Sequence, residues 1–270
     1  MKNIVLDKSF LRGASGSKII TLSQDNTFLM PFSLLYELVK DEPNKRARLF
    51  QKFDKEKKYL LLPNFHELFQ YEIDNNKPIT LPSAYIHQRD YSLHEQLCDE
   101  TYILSDKQKQ AIEGQKRDKD ILVNIFFKLI KEYIESKKNT SKKKLEEKII
   151  FNKEKLTQDY KELQDYKELQ GYYGKEILDV SNFNDNWFIY KWLQVLNLFA
   201  IDIAYRYDSI NTITDSPKTT EKIIHDILDM EYLVFAISEN GFATQESKLI
   251  EWYKLLCPNG ILYTELKGKN

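Results

Sequence analysis

Glycine is scarce in this chain, with 8 among 270 residues. Little material is therefore left for Gly-rich loops that cradle phosphates. The one stretch that looks like such a loop, RGASGSK from Arg12 to Lys18, lacks both the glycine spacing and the Gly-Lys-Ser/Thr ending of a P-loop. Cysteine is scarcer still. Cys98 and Cys257 stand far apart, which argues against a disulfide framework and for a reduced, cytoplasmic setting. The four histidines (His66, His87, His94 and His225) show no zinc-ligand spacing. The FHELF segment at His66 also lacks the second histidine of a zincin helix. No apolar run is long enough to cross a bilayer, and the start shows no signal-peptide pattern, so no membrane role is expected. Net charge is −1, so any contact with nucleic acid must come from local patches rather than from the protein as a whole.

What the chain does have is a contrast between its ends and its middle. Asn3–Leu6 reads as a short buried strand, SKIITLSQ as a helix and TFLMP (Thr27–Pro31) as a second strand. Ser33 then offers an N-cap for LLYELVKD, with Pro43 ending that helix. Near the C-terminus, EKIIHDILDMEYLVFAISENG reads as a long helix closed by Gly241 as its C′ residue. FAT is a short strand, SKLIEWYKLLC an amphipathic helix and ILYT (Ile261–Thr264) a last strand. Strands alternating with helices predict an α/β layer with a small, mainly parallel sheet built from residues 1–41 and 221–270. Residues 42–220 are rich in Lys and Glu, with recurrent helical periods, and predict a helical insertion. Within it lie a basic run, Lys137–Lys144, and a tandem DYKELQ repeat, Asp159–Gln164 and Asp165–Gln170. An aromatic stretch holds Trp187, Phe188, Tyr190 and Trp192. Buried core is the expectation for those aromatics over base stacking, and a solvated helix end for the lysines over an RNA-contacting arm.

Four acids stand out by position. Asp7 ends the first strand, Glu37 lies in the helix after the second, Asp229 lies in the long C-terminal helix and Glu246 follows FAT. In an open parallel sheet, groups at the carboxyl ends of strands converge on one crevice. Clustered carboxylates repel, and a divalent cation that prefers oxygen ligands, Mg²⁺ or Mn²⁺, relieves the repulsion. Asp226 and Glu231 are alternatives to Asp229. Lys8 and Arg12 flank the crevice and are candidates for phosphate contact.

These segments resemble the PIN domain, a metal-dependent nuclease family. IVLDKSFL is similar to the family's opening strand running into Asp, any residue, then Ser or Thr, at Asp7 and Ser9. FLMPFSLLYEL resembles its second strand, a proline and a helix carrying an acid, Glu37. DMEYLVFAISENGFATQESKL resembles its closing element at Asp229, Gly241 and Thr244, with Glu246 where Asp is usual. The resemblance implies a three-layer PIN-like core and a phosphodiester-cleaving site holding Mg²⁺ or Mn²⁺ on Asp7, Glu37, Asp229 and Glu246, with Ser9 and Thr244 in support. It implies RNA as substrate, with single-stranded DNA as an alternative. It extends to a toxin or defence effector with a regulatory protein partner, or to a homodimer. A non-catalytic PIN-like scaffold that binds RNA or protein through its helices is the alternative. A haloacid-dehalogenase-like phosphatase fits less well, since Ser9 stands where that family needs a second Asp.

Overall fold

The computed structural model describes residues 1–53, 59–86, 92–137, 140–164 and 180–264. His87, the second DYKELQ copy and residues 138–139 of the basic run lie outside them. In chain order the elements are β1 (Lys2–Leu6), α1 (Lys8–Gly13), α2 (Gly16–Asp25), β2 (Asn26–Met30), α3 (Phe32–Val39), α4 (Pro43–Phe50) and β3 (Leu60–Leu61). Then come α5 (Phe65–Asn75), α6 (Ser92–Leu97), α7 (Asp106–Ser136), α8 (Lys142–Ile150) and α9 (Lys153–Gln164). The chain finishes with α10 (Phe188–Arg206), α11 (Ile210–Thr214), α12 (Pro217–Glu239), β4 (Gly241–Ala243), α13 (Ser247–Leu256) and β5 (Ile261–Tyr263).

Contacts divide the chain into two compact units. The first comprises Met1–Phe65, Thr80–Ile112 and Glu231–Asn270 and holds a five-stranded, all-parallel sheet in the order β3-β2-β1-β4-β5. Ile4, Val5 and Leu6 are fully buried in the central strand, as expected of a parallel sheet covered on both faces. The register pairs Ile4 with Phe28, and Val5 with both Leu29 and Phe242. This unit reaches well past residue 41. The two-residue strand β3, too short to show a period, pairs Leu60 with Leu29 and Leu61 with Met30. Beside it, His94 of α6 sits among the rings of Phe50, Phe53 and Tyr59.

Three local expectations are corrected. Pro31, not Ser33, is the N-cap of α3, and Ser33 is buried inside its first turn. Pro43 opens α4 rather than merely ending α3, its fixed φ and missing N–H suiting a first helical position. Asn240, at φ 58°, takes the left-handed position after α12, while Gly241 opens β4. What Gly241 supplies is close packing, because a Cβ there would stand 2.0 Å from the Asn3 carbonyl oxygen.

The second unit comprises His66–Ile79 and Glu113–Met230. Its centre is α10, apolar nearly all round and therefore buried, packed against α8 and α9. Trp187, Phe188, Tyr190 and Trp192 are all buried, and Phe69 packs edge-on against Phe188 and Trp192. Glu72 is wholly buried, and its carboxylate accepts the backbone N–H groups of Ile79 at 2.9 Å, Phe188 at 2.8 Å and Ile189 at 3.0 Å. Two of those donors are N–H groups at the start of α10, which have no partner within the helix. The basic run is partly spent inside this unit. Lys137 Nζ donates to the carbonyls of Ala204 and Tyr207, both at 2.8 Å, and Lys142 pairs with Asp202 at 2.6 Å.

Candidate active site

In the sheet order, β1 pairs on one side with β2 and on the other with β4, so the chain reverses its direction of travel between β1 and β4. Open α/β sheets form their binding crevice at that switch point, outside the carboxyl ends of the strands. Asp7 follows β1 there, and its N–H extends the ladder to the Ala243 carbonyl at 3.1 Å. Thr244 follows β4 beside it.

The Asp7 side chain is buried, and two hydroxyls converge on one of its oxygens. Thr244 Oγ1 donates to Oδ2 at 2.6 Å, and Ser9 Oγ donates to the same atom. Backbone donors fix both hydroxyls in turn. The Gln245 N–H reaches Ser9 Oγ at 2.9 Å, and the Glu246 N–H reaches Thr244 Oγ1 at 3.1 Å. Burial raises the Asp7 carboxyl above the ordinary carboxylate range. The hydroxyls of Ser9 and Thr244 and the Ser9 N–H offset this in part, and the charge of Glu37 pushes it up further.

Glu37 comes from α3, the helix that follows β2. Its Oε2 accepts the hydroxyl of Tyr232 at 2.6 Å, from the part of α12 that belongs to the α/β unit. On its other side stands Lys8, whose Nζ lies 3.9 Å from Glu37 Oε1, 3.4 Å from the Glu37 carbonyl oxygen and 3.3 Å from Asp41 Oδ1. Arg12 reaches Asp41 Oδ2 at 3.3 Å from a side chain that is 59% exposed. Asp41, one turn beyond Glu37, is the acid missing from the sequence-based expectation. The i, i+4 spacing from Glu37 was a signal that could have found it. Tyr232 and Gln245 were also missed. Neither type marks a site by itself, and nothing in the sequence shows that they meet α3 or α1.

Glu246 is half-buried and is the N-cap residue of α13, with its backbone tied to Thr244. Glu231 belongs to the α/β unit, whereas Asp229 and Asp226 belong to the helical unit. There Asp226 pairs with Arg206 at 3.0 Å. Among the described residues, no group of three or more His, Cys, Asp or Glu side chains comes together in a form that could hold a metal ion. Likewise, no helix among them is long and apolar enough to cross a membrane. Neither Cys98 nor Cys257 is part of a disulfide.

Fold and site together define an α/β protein with a small, all-parallel sheet and a buried acid, Asp7, at its switch point, held by the hydroxyls of Ser9 and Thr244. Comparison with family models, with curated proteins and with solved structures finds no match.

Proposed function

We propose that this chain is a metal-dependent nuclease of the PIN-like kind, acting on single-stranded RNA through the crevice at the ends of β1 and β4. The observation that carries the reading is the pairing of Asp7 with Glu37. Asp7 is buried at the switch point with Ser9 and Thr244 holding one of its oxygens, and Glu37, from the helix after β2, stands close enough for its charge to push the Asp7 carboxyl up. Their donor set suits a hard cation, because Mg²⁺ and Mn²⁺ are held by one or two carboxylates while keeping several waters. Asp7 and Glu37 would hold it, with Glu246 at the start of α13 as a further acid. Such an ion supplies Lewis acidity toward a phosphoryl oxygen and a water of lowered pKa.

The chain's own residues do the rest. Ser9 and Thr244 turn Asp7 by holding one of its oxygens, and Tyr232 does the same for Glu37. All three are neutral donors, so they orient the acids without cancelling their charge. Arg12 puts positive charge at the rim, where a phosphate backbone would pass. A second reading, a non-catalytic scaffold that binds RNA or protein, is favoured by the lack of a three-acid group among the described residues. Incubation of the purified protein with single-stranded RNA and Mn²⁺ separates the two. Cleavage that is lost in both Asp7→Asn and Glu37→Gln supports the nuclease. Equal cleavage by wild type and variants, or none by any of them, rejects it.

A further inference from the structure

Lys8 is the residue this reading leaves unexplained. It follows the buried acid directly, yet its side chain does not project into solvent and is only 15% exposed. Its ammonium instead lies among three oxygens: one carboxylate oxygen of Asp41, the carbonyl of Glu37 and, slightly farther off, Glu37 Oε1. Glu37 is thereby divided. Tyr232 takes Oε2, and a cation faces Oε1.

From this geometry we infer that Lys8 is the chain's built-in counter-cation for the crevice, competing with a divalent ion for Glu37 and retreating onto Asp41 when that ion binds. The inference rests on the proposed metal site. The two contacts at 3.3 Å and 3.4 Å hold the ammonium without help from Oε1, so giving up the longer contact at 3.9 Å needs only a short movement. Asp41 is therefore the second anchor that makes the exchange possible. Arg12 shares Asp41 and helps keep its charge balanced while Lys8 faces Glu37. The consequence is a threshold. With Lys8 in place, the carboxylates coexist without metal, and the ion has to displace a positive charge before it can enter.

Calorimetric titration with Mn²⁺ alone tests this, each variant being checked first for an unchanged melting profile. Lys8→Gln binds Mn²⁺ about tenfold more tightly than wild type, and Lys8→Arg stays close to wild type. Asp41→Asn weakens Mn²⁺ binding in the wild-type background, because Lys8 then leans on Glu37. In the Lys8→Gln background the same change has a much smaller effect. Arg12→Gln, which removes a rim charge not facing Glu37, changes affinity by less than about twofold. Equal gains from Lys8→Gln and Arg12→Gln, or an Asp41→Asn effect of the same size in both backgrounds, would reduce Lys8 to bulk charge and overturn the inference. An unchanged affinity in Lys8→Gln overturns the counter-cation role alone. Absence of Mn²⁺ binding in wild type and Lys8→Gln alike overturns the metal site beneath it.

Discussion

Among the described residues, the most deeply buried acid of each unit is treated in the opposite way to the other. Glu72, in the helical unit, meets three backbone N–H groups, two of them at the positive end of a nineteen-residue helix. Asp7, in the α/β unit, meets two hydroxyls on one oxygen and a second carboxylate nearby. Burial raises both pKa values, that of Glu72 to about 7. Glu72 is satisfied by the fold, because its donors are backbone groups that would otherwise be orphaned on burial. Asp7 is oriented by its hydroxyls, burial raises its carboxyl and the charge of Glu37 adds to that, so under the proposed function a cation would relieve its neighbourhood. A buried acid is thus no mark of function by itself. The kind of partner decides.

The largest expected effect breaks the structural side of this comparison. Glu72→Ala leaves three buried N–H groups unpaired and lowers unfolding free energy by about 4 kcal/mol in urea titrations, with Mn²⁺ binding unchanged. Next comes pH. The folded state holds the Glu72 proton more tightly than the unfolded chain does, so its stabilising contribution is full below pH 4.5 and is lost as pH rises through about 7. Glu72 should account for a loss of about 3 kcal/mol across that window, with Asp7 adding to it in the same direction, and Glu72→Gln should make the profile shallower.

Asp7→Asn is expected to behave in the reverse sense. It weakens Mn²⁺ binding by about 100-fold or more in calorimetry, yet leaves the melting temperature equal or higher, because a repelled, desolvated charge has been removed. A large fall in melting temperature would make Asp7 another Glu72. The smallest effect is that of Tyr232→Phe. Loss of one hydroxyl from Glu37 weakens Mn²⁺ binding by about 1 kcal/mol, roughly fivefold, without moving the pH profile of stability.

Much of the α/β unit was legible in the sequence, for a local reason. β1, β2, β4 and β5 are short apolar runs bounded by polar or turn residues, and a parallel sheet buried on both faces demands that pattern. β3 was not legible, because two leucines carry no period and become a strand only by pairing with β2. For the candidate site, Asp7 could be read from where β1 ends, and Ser9 and Thr244 only from the resemblance to the PIN domain. Glu37 was reachable by counting from β2. Tyr232, Asp41 and the position of Lys8 were not, since each depends on which helix faces which.

The division follows the range of the forces. Period, capping and turn chemistry act over a few residues, so the sequence alone determined where most strands and helices lie and that an acid ends the first strand. Only the tertiary structure decided which acids share a crevice. It set Ser9 and Thr244, 235 positions apart, on one oxygen of Asp7, and it gave Glu72 a helix start 116 residues away as its partner. Contacts across such distances are fixed by how the sheet is ordered and how the helices pack, and no local pattern encodes them.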